Sequence, residues 1–121
     1  MNDIGKYIVD QGAVFIDPAG NMVELDPWDE SIAKQRATEV GITLTEPHWE
    51  VVRFLRHHYQ CNGLVRHSRD LVEELDTLFA QQGGRRYLYT LFPRGPVVQG
   101  TYIAGLPTPP GAIDRNFGSV E

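Results

Sequence analysis

The stretch Ser68-Arg69-Asp70-Leu71-Val72-Glu73-Glu74-Leu75-Asp76-Thr77-Leu78-Phe79 carries the clearest periodic signal in the chain. Its apolar residues Leu71, Val72, Leu75, Leu78 and Phe79 recur at i, i+1, i+4, i+7 and i+8, the spacing of one helix face. Ser68 is a suitable N-terminal cap, and Gly83-Gly84 breaks the run. Such a helix must lay its apolar face on something, so the neighbouring segments have to supply partners.

Upstream, Thr45 caps a second helix, with Glu46 in the first turn and Pro47 beside it. Trp49, Val52, Leu55 and Tyr59 form its stripe, widened by Val51 and Phe54, and Asn62-Gly63 ends it. Asp26-Pro27 predicts the start of an earlier helix with Ile32, Ala33, Ala37 and Val40 on its inner face, stopped by Gly41. Downstream, Tyr87, Leu88, Leu91 and Phe92 mark a short helix ending at Pro93. Gly95-Pro96 opens a fifth, over about 97–104, closed by Gly105. Nearer the N-terminus, Ala13–Ile16 and Met22–Leu25 flank Asp17-Pro18-Ala19-Gly20, which predicts a β-hairpin over 12–25. From Gly105 the chain is rich in Gly and Pro and reads as an extended arm. The expectation is thus a single domain, 1–121, of class α+β and mostly helical. It comprises the hairpin (12–25), a helical body (26–104) of about five short helices and a C-terminal arm (105–121).

The 121 residues, 41% hydrophobic and 22% charged, suit one packed domain and not a disordered chain. The net charge of −5 is unevenly spread: residues 1–50 carry −7, residues 51–94 carry +3 and the remainder −1. Every basic residue of the middle segment is arginine, the side chain suited to planar contacts with carboxylates and phosphates. The acidic total argues against a broad nucleic-acid surface. There is no apolar run of bilayer length, and MNDIGKYIVDQ lacks the apolar core of a signal peptide, so a cytoplasmic, soluble chain is expected.

Residue patterns for chemistry are sparse. His57, His58, Cys61 and His67 fit no standard metal spacing, and the single cysteine allows no internal disulfide or dithiol motif. Cys61 itself is a candidate reactive thiol, although it falls near a helix C-terminus, where the dipole disfavours a thiolate. Catalytic triads and phosphate loops have no counterpart, and neither a metal nor a cofactor is expected. The two helices joined at Asn62-Gly63 form a helix-turn-helix-like pair with Arg66 and Arg69 at the front of the second, so DNA binding stands as an alternative.

Three further stretches carry a resemblance. They are Leu44-Thr45-Glu46-Pro47-His48-Trp49-Glu50-Val51-Val52-Arg53-Phe54-Leu55-Arg56, then Arg86-Tyr87-Leu88-Tyr89 with Leu91-Phe92-Pro93-Arg94-Gly95-Pro96 to Gln99, then Ile103-Ala104-Gly105-Leu106-Pro107-Thr108-Pro109. Together they resemble the DsrC/TusE family of sulfur-relay proteins, which includes the gamma subunit of dissimilatory sulfite reductase, over roughly residues 12–111. The resemblance implies an N-terminal hairpin, a helical bundle and a mobile arm. It also implies that sulfur travels as a persulfide on a cysteine at the end of the arm, with a second arm cysteine in DsrC-type members.

This chain departs from that pattern at both places. The carrier position falls on Ala112 and the upstream position on Thr101, and neither can hold a persulfide. The resemblance therefore implies a non-catalytic, partner-binding or regulatory protein acting on a sulfite reductase or a sulfurtransferase complex. Arg53, Arg56, Arg69, Arg86 and Arg94, with Tyr102 and Leu106 as apolar anchors, are the expected contact residues. A carrier that uses Cys61 is the other alternative.

Overall fold

A computed structural model describes residues 25–112 and Met22 in full, and residues 7–10 and 13–16 as backbone. Five helices form the body: α1 (Glu30–Glu39), α2 (Glu46–Asn62), α3 (Ser68–Leu78), α4 (Gly84–Leu91) and α5 (Pro96–Ala104). A 3-10 turn over Ala80–Gln82 leads into α4.

α5 is the axis of the packing. It touches α1, α2, α3 and α4, and seven of its nine residues are buried. A short helix buried nearly all round needs apolar or small residues on every side, which Pro96, Val97, Gly100, Ile103 and Ala104 supply. Gly100 lets α2 approach closely: a methyl group there would lie 2.8 Å from Leu55 Cδ1. Val51, Val52, Leu55, Leu75, Leu88, Phe92 and Ile103 have essentially no exposed surface and make up the core. Each such apolar side chain contributes about 1.5–3 kcal/mol relative to exposure.

The caps follow local chemistry. Asp29 Oδ1 accepts the Ile32 amide at 2.9 Å, so α1 begins at Glu30 and not at the predicted Asp26-Pro27. The intervening residues carry Trp28 across to α5 instead, its indole N–H donating to the Ile103 carbonyl. α2 opens on a box that sequence reasoning missed. The Thr45 amide donates to His48 Nδ1 at 3.1 Å, and His48 Nε2–H donates to the Leu91 carbonyl at 2.8 Å. His48 is buried, so this one ring caps α2 and fastens it to the end of α4.

The expectation of an α+β fold is overturned. No residue from 25 to 112 lies in a strand, and the body is helical throughout. The predicted hairpin over 12–25 does not form, since Leu25 N–H bonds the Met22 carbonyl in a turn. Ala13–Ile16 pairs instead with Tyr7–Asp10, Tyr7 opposite Ile16 and Asp10 opposite Ala13. Tyr7–Asp10 opens with the β-formers Tyr7, Ile8 and Val9, and only Gln11-Gly12 separates this strand from Ala13, a shorter and more favourable connection than the Asp17–Asn21 segment. Among the described residues the sheet has these two strands alone. The arm beyond Ala112 lies outside the described residues. Among the described residues, no helix is long and apolar enough to cross a membrane.

Candidate functional site

α5 ends in a Schellman turn. Leu106 N–H bonds the Thr101 carbonyl at 2.9 Å, Gly105 N–H bonds the Tyr102 carbonyl at 3.2 Å, and Gly105 is left-handed at φ +74°. This turn redirects the chain into the arm. The last carbonyls of the helix are met from outside. Arg36 Nη1 donates to Tyr102 O at 2.8 Å, Trp28 Nε1 to Ile103 O at 2.8 Å, and Arg56 Nη1 to Ala104 O at 2.5 Å. The Arg56 guanidinium lies 4.0 Å from the Trp28 ring centroid, and that of Arg36 lies 4.9 Å from the Tyr102 ring. Cations at a helix C-terminus offset its negative end, so the root of the arm is held electrostatically as well as by geometry.

Sequence reasoning expects an arm with little core of its own, yet its described part lies against the body. Leu106 and Pro109 are buried, and the Pro110 carbonyl accepts the Ser68 amide at 2.9 Å. Ala112, half-buried, comes to rest in a groove of about 450 Å³ between α3, α4 and α5. Val72, Val97 and Val98 give the groove apolar walls, and Arg69 and Arg85 lie along it. Nothing in the sequence singles out Arg85, because the doublet with Arg86 gives no sign of which of the two reaches the groove.

The expected contact residues separate into groups. Arg56 and Tyr102 serve the root of the arm: Arg56 caps α5, while the Tyr102 hydroxyl donates to the Glu39 carboxylate. That hydrogen bond, with some desolvation and the Glu39 charge, raises the Tyr102 phenol above its ordinary value, against a smaller pull downward from Arg36. Leu106 is in the core and not on the surface. Arg53 is exposed and pairs with Glu46 along α2, a contact of little energetic weight in water. Arg69 and Arg86 are exposed, and Arg94 is half-buried.

Thr101 sits inside α5, only 2% exposed, its hydroxyl donating to the Val97 carbonyl at 2.5 Å. Cys61 is exposed on the last turn of α2, its sulfur 3.6 Å from His57 Nε2. His58 Nε2 lies 3.2 Å from a Glu74 carboxylate oxygen on α3. No cluster of three or more ligating side chains occurs among the described residues. The helix-turn-helix-like pair is not a packing unit of its own, since α2 packs chiefly on α5 and α3 on α4.

A helical body whose buried last helix turns through a capped glycine into a proline-rich arm is the class that fold and site define. Residues 9–113 match the family model described as DsrC like protein, and the chain belongs to that family. It is 46% identical over 94 residues to Sulfurtransferase TusE of Pectobacterium atrosepticum, covering 77% of this chain and 86% of the relative. It is 47% identical over 94 residues to Sulfurtransferase TusE of Yersinia pseudotuberculosis, covering 77% and 87%. Among solved structures it is similar to Allochromatium vinosum DsrC, with TM-score 0.62 and 33% identity over 89% of this chain and 98% of that one. It is also similar to the oxidized gamma-subunit of the dissimilatory sulfite reductase (DsrC) from Archaeoglobus fulgidus, with TM-score 0.58 and 31% identity over 88% and 99%.

Proposed function

We propose that this chain is a DsrC/TusE-type protein of sulfur metabolism that docks on a family partner, a sulfite reductase or a sulfurtransferase complex, without carrying sulfur on its arm. The observation that carries the reading is Ala112. It occupies the position where the family resemblance expects the carrier thiol, and it rests in a groove beside Arg69 and Arg85. An alanine has no lone-pair nucleophile, so an arm seated this way can be recognised but cannot be loaded. Thr101, at the other expected thiol position, is buried within α5 and holds its hydroxyl on a carbonyl of its own helix.

On this reading the protein is non-catalytic and regulates or competes with a cysteine-bearing family member. The contact surface comprises Arg69 beside the arm, with Arg53, Arg86 and Arg94 elsewhere on the helical body, while Arg56, Tyr102 and Leu106 contribute by shaping the arm's root. The test is a competition: a cysteine-bearing family member bound to its sulfite reductase or sulfurtransferase complex, titrated with this chain at micromolar concentration. Displacement is expected, weakened by Arg69→Glu. Absence of both binding and displacement would overturn the reading.

One observation favours a second reading, a carrier that uses Cys61: the thiol is exposed and has His57 Nε2 within reach. Mass measurement after exposure to a persulfide donor separates the two, since a gain of one sulfur atom that disappears in Cys61→Ser belongs only to this second reading.

A further inference from the structure

We infer that Trp28 and Arg56 are the positioning residues of the arm: by clamping the last carbonyls of α5 they fix the heading at which the chain leaves Gly105, and so where the tip of its described part, Pro110 to Ala112, lands. The two side chains act as a unit. Trp28 Nε1–H holds Ile103 O, Arg56 Nη1–H holds Ala104 O, and the guanidinium stacks 4.0 Å from the indole, so moving one unseats the other. The clamp bears directly on the hinge: a Cβ at Gly105 would lie 2.5 Å from Trp28 Cδ1. The glycine is therefore packed beneath the ring and its φ of +74° is held there.

The arm then behaves as a lever. Of the five residues from Leu106 to Pro110, three are proline, which removes backbone freedom and makes a semi-rigid spacer. At about 3.1 Å per residue it is roughly 15 Å long, so a swing of about 20° at Gly105 would displace Pro110 by about 5 Å. That exceeds the reach of the bond between the Ser68 amide and the Pro110 carbonyl, 2.9 Å in the seated arm. Loosening the clamp thus releases the tip, even though clamp and tip share no residue.

The inference holds whatever the arm delivers, so its failure would leave the docking reading standing, and the converse is equally true. Amide hydrogen exchange on the full chain tests it, with the Ser68 amide reporting the seated tip and the Leu55 and Leu75 amides reporting the body. Trp28→Phe and Arg56→Gln are each expected to speed Ser68 exchange by about tenfold or more, with Leu55 and Leu75 within about twofold of the parent. Arg56→Lys, which keeps a donor and a charge, is expected to restore most of the protection. Unchanged Ser68 exchange would overturn the inference. So would acceleration of Ser68 only in step with Leu55 and Leu75, since that is the mark of general destabilisation. If Arg56→Gln fails to fold, Trp28→Phe, which keeps an aromatic ring and loses the donor, decides the matter by the same comparison.

Discussion

Two glycines of positive φ separate backbone cost from packing cost. At Gly41 (φ +80°) a methyl group would meet nothing within 4 Å, whereas at Gly105 (φ +74°) it would strike Trp28. Gly41→Ala is expected to cost only the left-handed penalty, about 1–2 kcal/mol. Gly105→Ala should exceed it by about 1 kcal/mol or more, because the overlap falls on a held ring. Paired urea denaturation curves would check this, and equal losses would contradict the clamp's tightness. Tyr102 offers a second measurement at the same scale. Its raised folded-state pKa means that the phenol–Glu39 tie adds stability below the ordinary phenol value and loses it as pH rises through the folded value. The tie therefore persists across neutral pH and fails only above about pH 10. Glu39→Gln should shift the phenolate absorbance midpoint of Tyr102 downward, and an unmoved midpoint would show that the carboxylate is not the cause.

Among the elements, α3 is the most legible in the sequence, yet the rows of its stripe are unequally buried. Leu75 has no exposed surface, while Leu78, on the same predicted face, is 52% exposed. Leu75→Ala is expected to cost about 2–5 kcal/mol and Leu78→Ala much less, read from thermal unfolding. That contrast explains where periodicity stops informing. It places a residue on a face, but the width of the covering partner decides which rows are sealed, and α4 and α5 seal only part of this one. The five helices and their order are readable from caps, glycines and spacing. The start of α1 is not, because Asp26-Pro27 and Asp29-Glu30 both satisfy the rules of a helix opening and only the reach of Trp28 to α5 chooses between them. The misplaced hairpin has the same origin. Ala13–Ile16 is a strand, but two flanking segments compete for it, and the shorter loop wins.

At the scale of the whole molecule, the charge polarity seen in the sequence has a physical destination. Three arginines of the middle segment serve the arm, Arg56 by capping its root and Arg69 and Arg85 by lining the groove that Ala112 enters. Residue type alone does not divide them, because the same guanidinium caps a helix in one place and lines a groove in another. The arm's motif is legible, and with it the missing thiol; that its described part lies against the body through Leu106 and Pro109 is not. Whether the natural arm lacks the group that loads sulfur is decided by intact-mass analysis after incubation with a persulfide donor, comparing the natural chain, Ala112→Cys and Ala112→Cys with Cys61→Ser. Both Ala112→Cys proteins are expected to gain one sulfur atom on the arm, and the natural chain none. A natural chain that loads sulfur as fast as Ala112→Cys would contradict the docking role outright.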